Sequence, residues 1–206
     1  MYWAQKFSVT FLKLARLVSA MANSVDEYAY ELKIPRERVA VLIGKEGSTK
    51  KQIEQSTSVT LNIDSEEGEV KLIGNEALGL YACREIVRAI GRGFNPDVAL
   101  LLLKQDYGFE QINIADFADT KNDALRLKGR VIGESGKSRK VIEELTGCHV
   151  SVYGKTVTMI GSLEWLPFAR RAVESLLSGS PHSVVYHWLE RQRKDLRRQE
   201  LQGGAW

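Results

Sequence analysis

The sequence is poor in cysteine and proline, with two and four respectively in 206 residues. Two cysteines exclude a disulfide scaffold and any paired CxxC zinc site. A long hydrophobic run is also missing. The longest, Val98–Leu103, holds six residues, against the ~20 that a bilayer-spanning helix needs. Neither sign of charge is in large excess, since 29 Lys+Arg stand against 26 Asp+Glu for a net charge of +3. A nucleic-acid partner is therefore not announced by bulk charge, and any such site has to be local. With 44% hydrophobic and 27% charged residues, the composition is globular and allows one or two domains.

Catalytic constellations are scarce too. His149 falls on a strand pattern, and His182 and His187 are five apart, which is wrong for two ligands stacked on one helical face. No carboxylate pair, nucleophile–base arrangement or metal-ligand spacing stands out. Cys83 and Cys148 sit on apolar faces and read as core residues. The chain does not read as an enzyme, and no cofactor or metal is expected. Residues 1–27 read as a leader. Its apolar stretch is interrupted by Lys13 and Arg16, whereas a secretory signal keeps roughly 7–15 residues uncharged. The expected location is the cytoplasm.

What the sequence does contain is a repeat. At an offset of 89, residues 43–58 (IGKEGSTKKQIEQSTS) lie over residues 132–147 (IGESGKSRKVIEELTG), and seven of the 16 positions are identical. The match continues from 59–63 onto 148–152, from 69–74 onto 156–161, and from 74–91 onto 161–178. A period this long is not a solenoid unit, and two related domains follow.

Each copy carries one pattern. Val39, Leu42 and Ile43 recur at helical spacing over 36–43, a Gly-x-x-Gly pair breaks the helix, and a second helix starts near Ser48. Val59, Leu61 and Ile63 alternate with polar residues, the period of a half-buried strand. A polar turn, Asp64–Gly68, leads to a second strand at 69–73, and a helix over 76–90 places Leu80, Cys83, Val87 and Ile90 on one face. In the second copy the hairpin strands are 148–152 and 156–160, closed by a helix over 166–177. Extra strands precede the copies at 28–34 and 110–114. Asn95-Pro96-Asp97 is a helix start, and the four leucines behind it predict a connecting helix over 94–106, wedged between the domains. Residues 181–206 predict a terminal basic helix carrying Arg191, Arg193, Lys194, Arg197 and Arg198, a run that reads as a solvated face or an RNA contact. The predicted units are 28–93, 94–106, 107–180 and 181–206.

A lone GxxG is weak, but here it recurs between two helices and ahead of a hairpin. Glycines permit positive φ and let another backbone come close. The following helix start exposes unpaired N–H groups and a positive dipole end, which favour phosphate oxygens. These segments, VAVLIGKEGSTKKQIEQSTSVTLNI and GRVIGESGKSRKVIEELTGCHVSVYGKTVTMIG, resemble two type I KH domains. The resemblance covers roughly residues 28–180. It implies an α+β fold of two units, each a three-stranded antiparallel sheet packed against three helices, and a GXXG loop that clamps single-stranded RNA.

Carried onto this sequence, Gly44-Lys45-Glu46-Gly47 forms the first clamp, with Lys50 and Lys51 beside it. Ile43 and Ile53, with Leu61 or Ile63, are expected to form an apolar floor under the bases. The second clamp is Gly133-Glu134-Ser135-Gly136, preceded by Lys128, Arg130 and Ile132 and followed by Lys137, Arg139 and Lys140. It has no basic residue between its glycines, where KH clamps usually have one. The turn carrying Asp64, Glu66, Glu67 and Glu69 opposes RNA on the first unit.

The length, the two type I units and the ending GSPHSVVYHWLERQRKDLR resemble archaeal relatives of the partner-of-Nob-one family. That resemblance implies an assembly factor for the small ribosomal subunit. Such a factor binds single-stranded RNA near the 3′ end of the rRNA and works beside a PIN-domain endonuclease. The alternative is a protein-interaction scaffold that docks a processing nuclease or a translation initiation factor subunit.

Overall fold

The computed structural model describes residues 28–203, so the leader lies outside the described residues. The first unit runs β1 (Tyr28–Lys33), α1 (Arg36–Ile43), α2 (Ser48–Thr57), β2 (Thr60–Ile63), β3 (Glu69–Gly74) and α3 (Ala77–Gly91). Its sheet is antiparallel in the order β1-β3-β2. Alternation decides which face is buried: Leu61, Val70 and Leu72 point inward, while Thr60, Asn62, Glu69 and Lys71 are exposed. The apolar stripe of α3 (Cys83, Ile86, Val87 and Ile90) closes that core together with Leu42 and Ile53.

The second unit repeats this plan. It comprises β4 (Tyr107–Asn113), a 3₁₀ turn at Ile114–Phe117, α5 (Lys121–Ile132), α6 (Lys137–Thr146), β5 (His149–Tyr153), β6 (Thr156–Ser162) and α7 (Leu166–Leu177). The sheet order is β4-β6-β5, again antiparallel. Thr120 caps α5, its hydroxyl accepting from the Asp123 N–H at 3.1 Å. The strand expected at 110–114 starts earlier and ends one residue sooner, because Ile114 turns inward to begin the 3₁₀ turn. α8 (His182–Gly203) carries the basic run. It is anchored, since Val185 and Leu189 are buried in the second core and Trp188 lies against Phe168 and Arg171. Arg191, Arg193, Lys194, Arg197 and Arg198 are exposed.

The connector is shorter than a helix over 94–106. Only α4 (Pro96–Ala99) is α-helical, and Leu100–Leu103 form a 3₁₀ turn. Pro96 takes the first helical position as expected, but the Asn95 side chain makes no cap bond. At three residues per turn, successive leucines point about 120° apart. The turn therefore has no single apolar face, and Leu100, Leu101 and Leu102 are each half-buried beside the first core while Leu103 is exposed. The second unit joins them there, because Ile160 of β6 is buried in the first unit's core, with Tyr107 and Phe109 beside it. The Ser151 hydroxyl donates to the Arg92 carbonyl at 2.9 Å, and the Tyr153 hydroxyl donates to the Glu37 carboxylate. The units are thus docked on one another.

Candidate nucleic-acid interface

Both GxxG loops have one backbone shape. Gly44 and Gly133 each have φ of 73°, the third residues Glu46 and Ser135 sit at 54° and 50°, and Gly47 and Gly136 at 75° and 77°. The first glycine is required twice over, by positive φ and by space. A Cβ on Gly44 would lie 2.3 Å from the Thr49 hydroxyl oxygen, and one on Gly133 would lie 2.6 Å from the Ser138 nitrogen. Each loop then runs into a ten-residue helix, α2 or α6, whose cap residue is a left-handed glycine with no side chain to occupy the first-turn N–H groups. The first N–H of each helix, on Ser48 or Lys137, is taken by the Lys45 or Glu134 carbonyl, and the remaining first-turn donors and the positive dipole end are suited to phosphate oxygens.

The expected side chains divide by position. Lys45, Lys51, Lys137 and Lys140 are exposed at or just after the loops. Lys50 and Arg139 are partly engaged, 3.9 Å from Glu54 and 3.8 Å from Glu143. Lys128 is half-buried and lines a cleft between α5 and the β5–β6 turn, with Leu125, Gly154 and Lys155. Arg130 does not join the clamp. Its Nε donates to the Leu176 carbonyl at 3.1 Å and its Nη2 to the Ser180 carbonyl at 2.7 Å. These bonds cap the end of α7, whose last carbonyls need donors.

The apolar floor is also corrected. Ile53 and Leu61 have no accessible surface and belong to the core. The partly exposed apolar groups beside the first loop are Ile43 and, on β2, Ile63; Ile132 and Val152 match them in the second unit. Alternation predicts an inward face but not its depth, so it could not separate Leu61 from Ile63. Glu134 and Ser135 are exposed in the second loop.

The acidic turn is partly neutralised. Glu67 lies 3.3 Å from both Lys33 and Arg36, Glu69 lies 3.5 Å from Lys33, and Asp64 accepts from the Glu66 and Glu67 N–H groups at 2.8 and 3.2 Å. Sequence reading missed the partners of that turn, because strand pairing of β1 with β3 is what brings Lys33 opposite Glu69. Among the described residues no group of three or more His, Cys, Asp or Glu side chains is placed to hold a metal ion. Nor is any described helix long and apolar enough to cross a membrane.

Known proteins align with both units. Residues 29–89 match the KH domain family, and residues 108–194 match the second KH domain of PNO1, described as a eukaryotic type KH-domain (KH-domain type I). The chain is 50% identical over 171 residues to a KH domain-containing protein of Methanocaldococcus jannaschii, covering 81% of this chain and 75% of that protein. It is 33% identical over 136 residues to the pre-rRNA-processing protein PNO1 of Chaetomium thermophilum, covering 63% of this chain and 52% of that protein, so it spans about half the fungal relative. Among solved structures it is similar to a chain of the a/eIF2alpha–aDim2p–rRNA complex from Pyrococcus horikoshii. The TM-score there is 0.78 and the identity 44%, covering 84% of this chain and 97% of that chain. The two KH units, their sequence of elements and these likenesses together make the chain a member of the Dim2/PNO1 family of KH-domain proteins.

Proposed function

We propose that this protein is an RNA-binding factor of small-subunit rRNA maturation. It grips single-stranded RNA near the 3′ end of that rRNA, with Gly44–Gly47 and Gly133–Gly136 as backbone clamps. The observation that carries the reading is the shared loop geometry, left-handed at three positions in each copy and feeding an uncapped helix start. The fungal relative's pre-rRNA-processing name and the rRNA in the Pyrococcus complex support the choice of RNA. Lys45, Lys51, Lys137 and Lys140 supply local positive charge on a chain of net +3. The first clamp is the stronger of the two, since Lys45 lies between its glycines where the second has Glu134. The chain acts as a holder of rRNA and not as the enzyme that cuts it. A PIN-domain endonuclease is the partner that would do so.

A second reading has one observation in its favour: Glu134 places a carboxylate in the second loop, where phosphate would have to sit. In that reading the second unit docks a processing nuclease or an initiation-factor subunit, and a/eIF2alpha is present in the Pyrococcus complex.

Fluorescence anisotropy of labelled single-stranded RNA matching the 3′ end of small-subunit rRNA, with a duplex of equal length as control, separates the two. Clamp binding is expected to prefer the single strand. It should weaken with salt by ~0.7 logarithmic units per logarithmic unit of salt for each phosphate neutralised. Equal affinity for the duplex, or none for either, moves the function to protein docking.

A further inference from the structure

At the junction of the two units lies an open cleft of about 550 Å³ that the GxxG loops do not touch. Its walls include Tyr30 and Arg36 from the first unit, Arg88 and Arg92 at the end of α3, and Gln111 from β4 of the second. The cleft is built almost entirely from the first unit, and the second closes one side with Gln111. Beside it the side chains are ordered by one buried carboxylate. Glu85, 6% exposed, accepts from Arg84 at 2.9 Å and from Arg88 at 3.0 and 3.1 Å. The Arg84 guanidinium in turn lies 5.3 Å from the Tyr30 ring centre and 5.0 Å from that of Tyr81, and Arg88 lies 5.2 Å from Phe109 across the junction. Tyr30 and Tyr81 nevertheless keep 40% and 58% of their surface open to solvent.

From this array we infer that the junction face is a second single-strand RNA surface, on which Tyr30 and Tyr81 stack unpaired bases while Arg88 and Arg92 contact the phosphates between them. The inference rests on the RNA-binding reading above. Aromatic faces interleaved with guanidinium groups are what a sequence-tolerant single-strand platform needs, since every base has a face to stack. Holding the rings in place before binding removes most of the ordering cost. Glu67 offsets Lys33 and Arg36 at the far rim, and Glu85 takes up part of the charge of Arg84 and Arg88, which leaves Arg92 and the outer edge of Arg88 as the positive groups of the α3 wall. Position favours the same strand, because the cleft opens at Arg36, the first residue of α1, and the clamp begins just past its last. Eight residues of helix span about 12 Å. The platform takes nucleotides that flank those in the first clamp.

The test compares a four-nucleotide RNA, enough to fill one clamp, with a twelve-nucleotide single strand of which the four are part. Wild type is expected to bind the longer RNA more tightly. The double variant Tyr30→Ala/Tyr81→Ala and, separately, Arg92→Gln are expected to lose about 5- to 20-fold on the longer RNA, a conservative share of the stacking and phosphate contributions. Both should stay within about twofold of wild type on the short one. Both tyrosines are exposed, so thermal melting should be nearly unchanged, and the Arg92 variant tests the face without touching them. Equal wild-type affinity for the two RNAs would overturn the platform and leave the clamp reading standing. No binding of either RNA would overturn both. An unchanged longer-RNA affinity in both variants would also sink it, and if a polyglutamate peptide then bound wild type but not Arg92→Gln, the face would be assigned to an acidic protein partner.

Discussion

The carboxylate of Glu54 accepts a hydrogen bond from the Leu61 backbone N–H at 2.7 Å, and 89 residues later Glu143 does the same for Val150 at 2.8 Å. β2 and β5 are edge strands in their sheets, so an outward N–H there has no neighbouring strand to pair with. A carboxylate from the helix seven residues upstream supplies the acceptor and fixes how α2 and α6 sit on the sheet. This accounts for glutamate at the matching position of both copies. Glu143→Ala is expected to cost about 1–3 kcal/mol, because it leaves the N–H without its charged acceptor. Glu143→Gln, which keeps an acceptor, should cost less. Urea unfolding at an unchanged m-value checks the order.

The two glycines of each clamp are not equivalent. A Cβ on Gly44 meets Thr49 at 2.3 Å and one on Gly133 meets Ser138 at 2.6 Å, whereas Cβ atoms on Gly47 and Gly136 meet nothing within 4 Å. Alanine at Gly47 or Gly136 therefore costs only the left-handed backbone penalty, roughly 1–2 kcal/mol. At Gly44 or Gly133 the clash adds to that penalty, and helix α2 or α6 has to shift. The Tm of the four alanine variants should fall into two groups, Gly44 and Gly133 lower.

Lys45 and Glu46 are exposed and hold the loop without packing on it. Replacing both by Asp is expected to leave the melting temperature nearly unchanged and to weaken single-strand RNA binding. The salt slope should shrink by ~0.7 for each phosphate that is no longer neutralised. In the second loop Glu134→Lys should act the other way and raise affinity, because it removes a repelling charge and adds an attracting one. An anisotropy salt series on the two variants measures both effects.

Much of this is legible in the sequence. The alternation over 59–63, the apolar stripe of 80–90 and the GxxG break between helices each rest on local periodicity or backbone freedom. What the sequence concealed is set by contacts across the fold. Arg130 lies three residues before a clamp and looks like a phosphate ligand, yet its donors find one carbonyl in the last turn of α7, at Leu176, and one just past it, at Ser180. Ile53 and Ile43 read as the same kind of residue, and only the packing of α2 on α3 buries one and leaves the other at the surface. Ile160 belongs by sequence to the second unit and by burial to the first unit's core. In the array around Glu85, Tyr81, Arg84 and Arg88 lie at local helical spacings, but Tyr30 and Phe109 come from two distant strands and had no local signature.

Burial pushes the Cys83 thiol up from 9.0 to about 11, and the Cys148 thiol above its ordinary value for the same reason. The folded state therefore favours the neutral thiol, while the unfolded chain ionises near 9.0. The stability this contributes is fully present below pH 9.0 and is lost as pH rises from there through about 11. The native protein should react slowly with a thiolate-directed reagent at pH 8 and rapidly, at two thiols, once denatured. Fast reaction of either cysteine in the native state would contradict the buried core positions.

Arg130 and Lys137 flank the second clamp and should respond oppositely to truncation. Arg130 has its guanidinium tied to Leu176 and Ser180, so Arg130→Ala removes two charged hydrogen bonds, and the Leu176 carbonyl keeps only its backbone donor from Gly179. A loss of about 1.5–3 kcal/mol in stability follows, with RNA affinity within about twofold of wild type. Lys137 is exposed at the first position of α6. Lys137→Ala should leave unfolding nearly unchanged and reduce affinity and salt slope together. Measuring both variants by urea unfolding and RNA titration places each residue on one axis. A large affinity loss in Arg130→Ala without a change in stability would return that arginine to the interface.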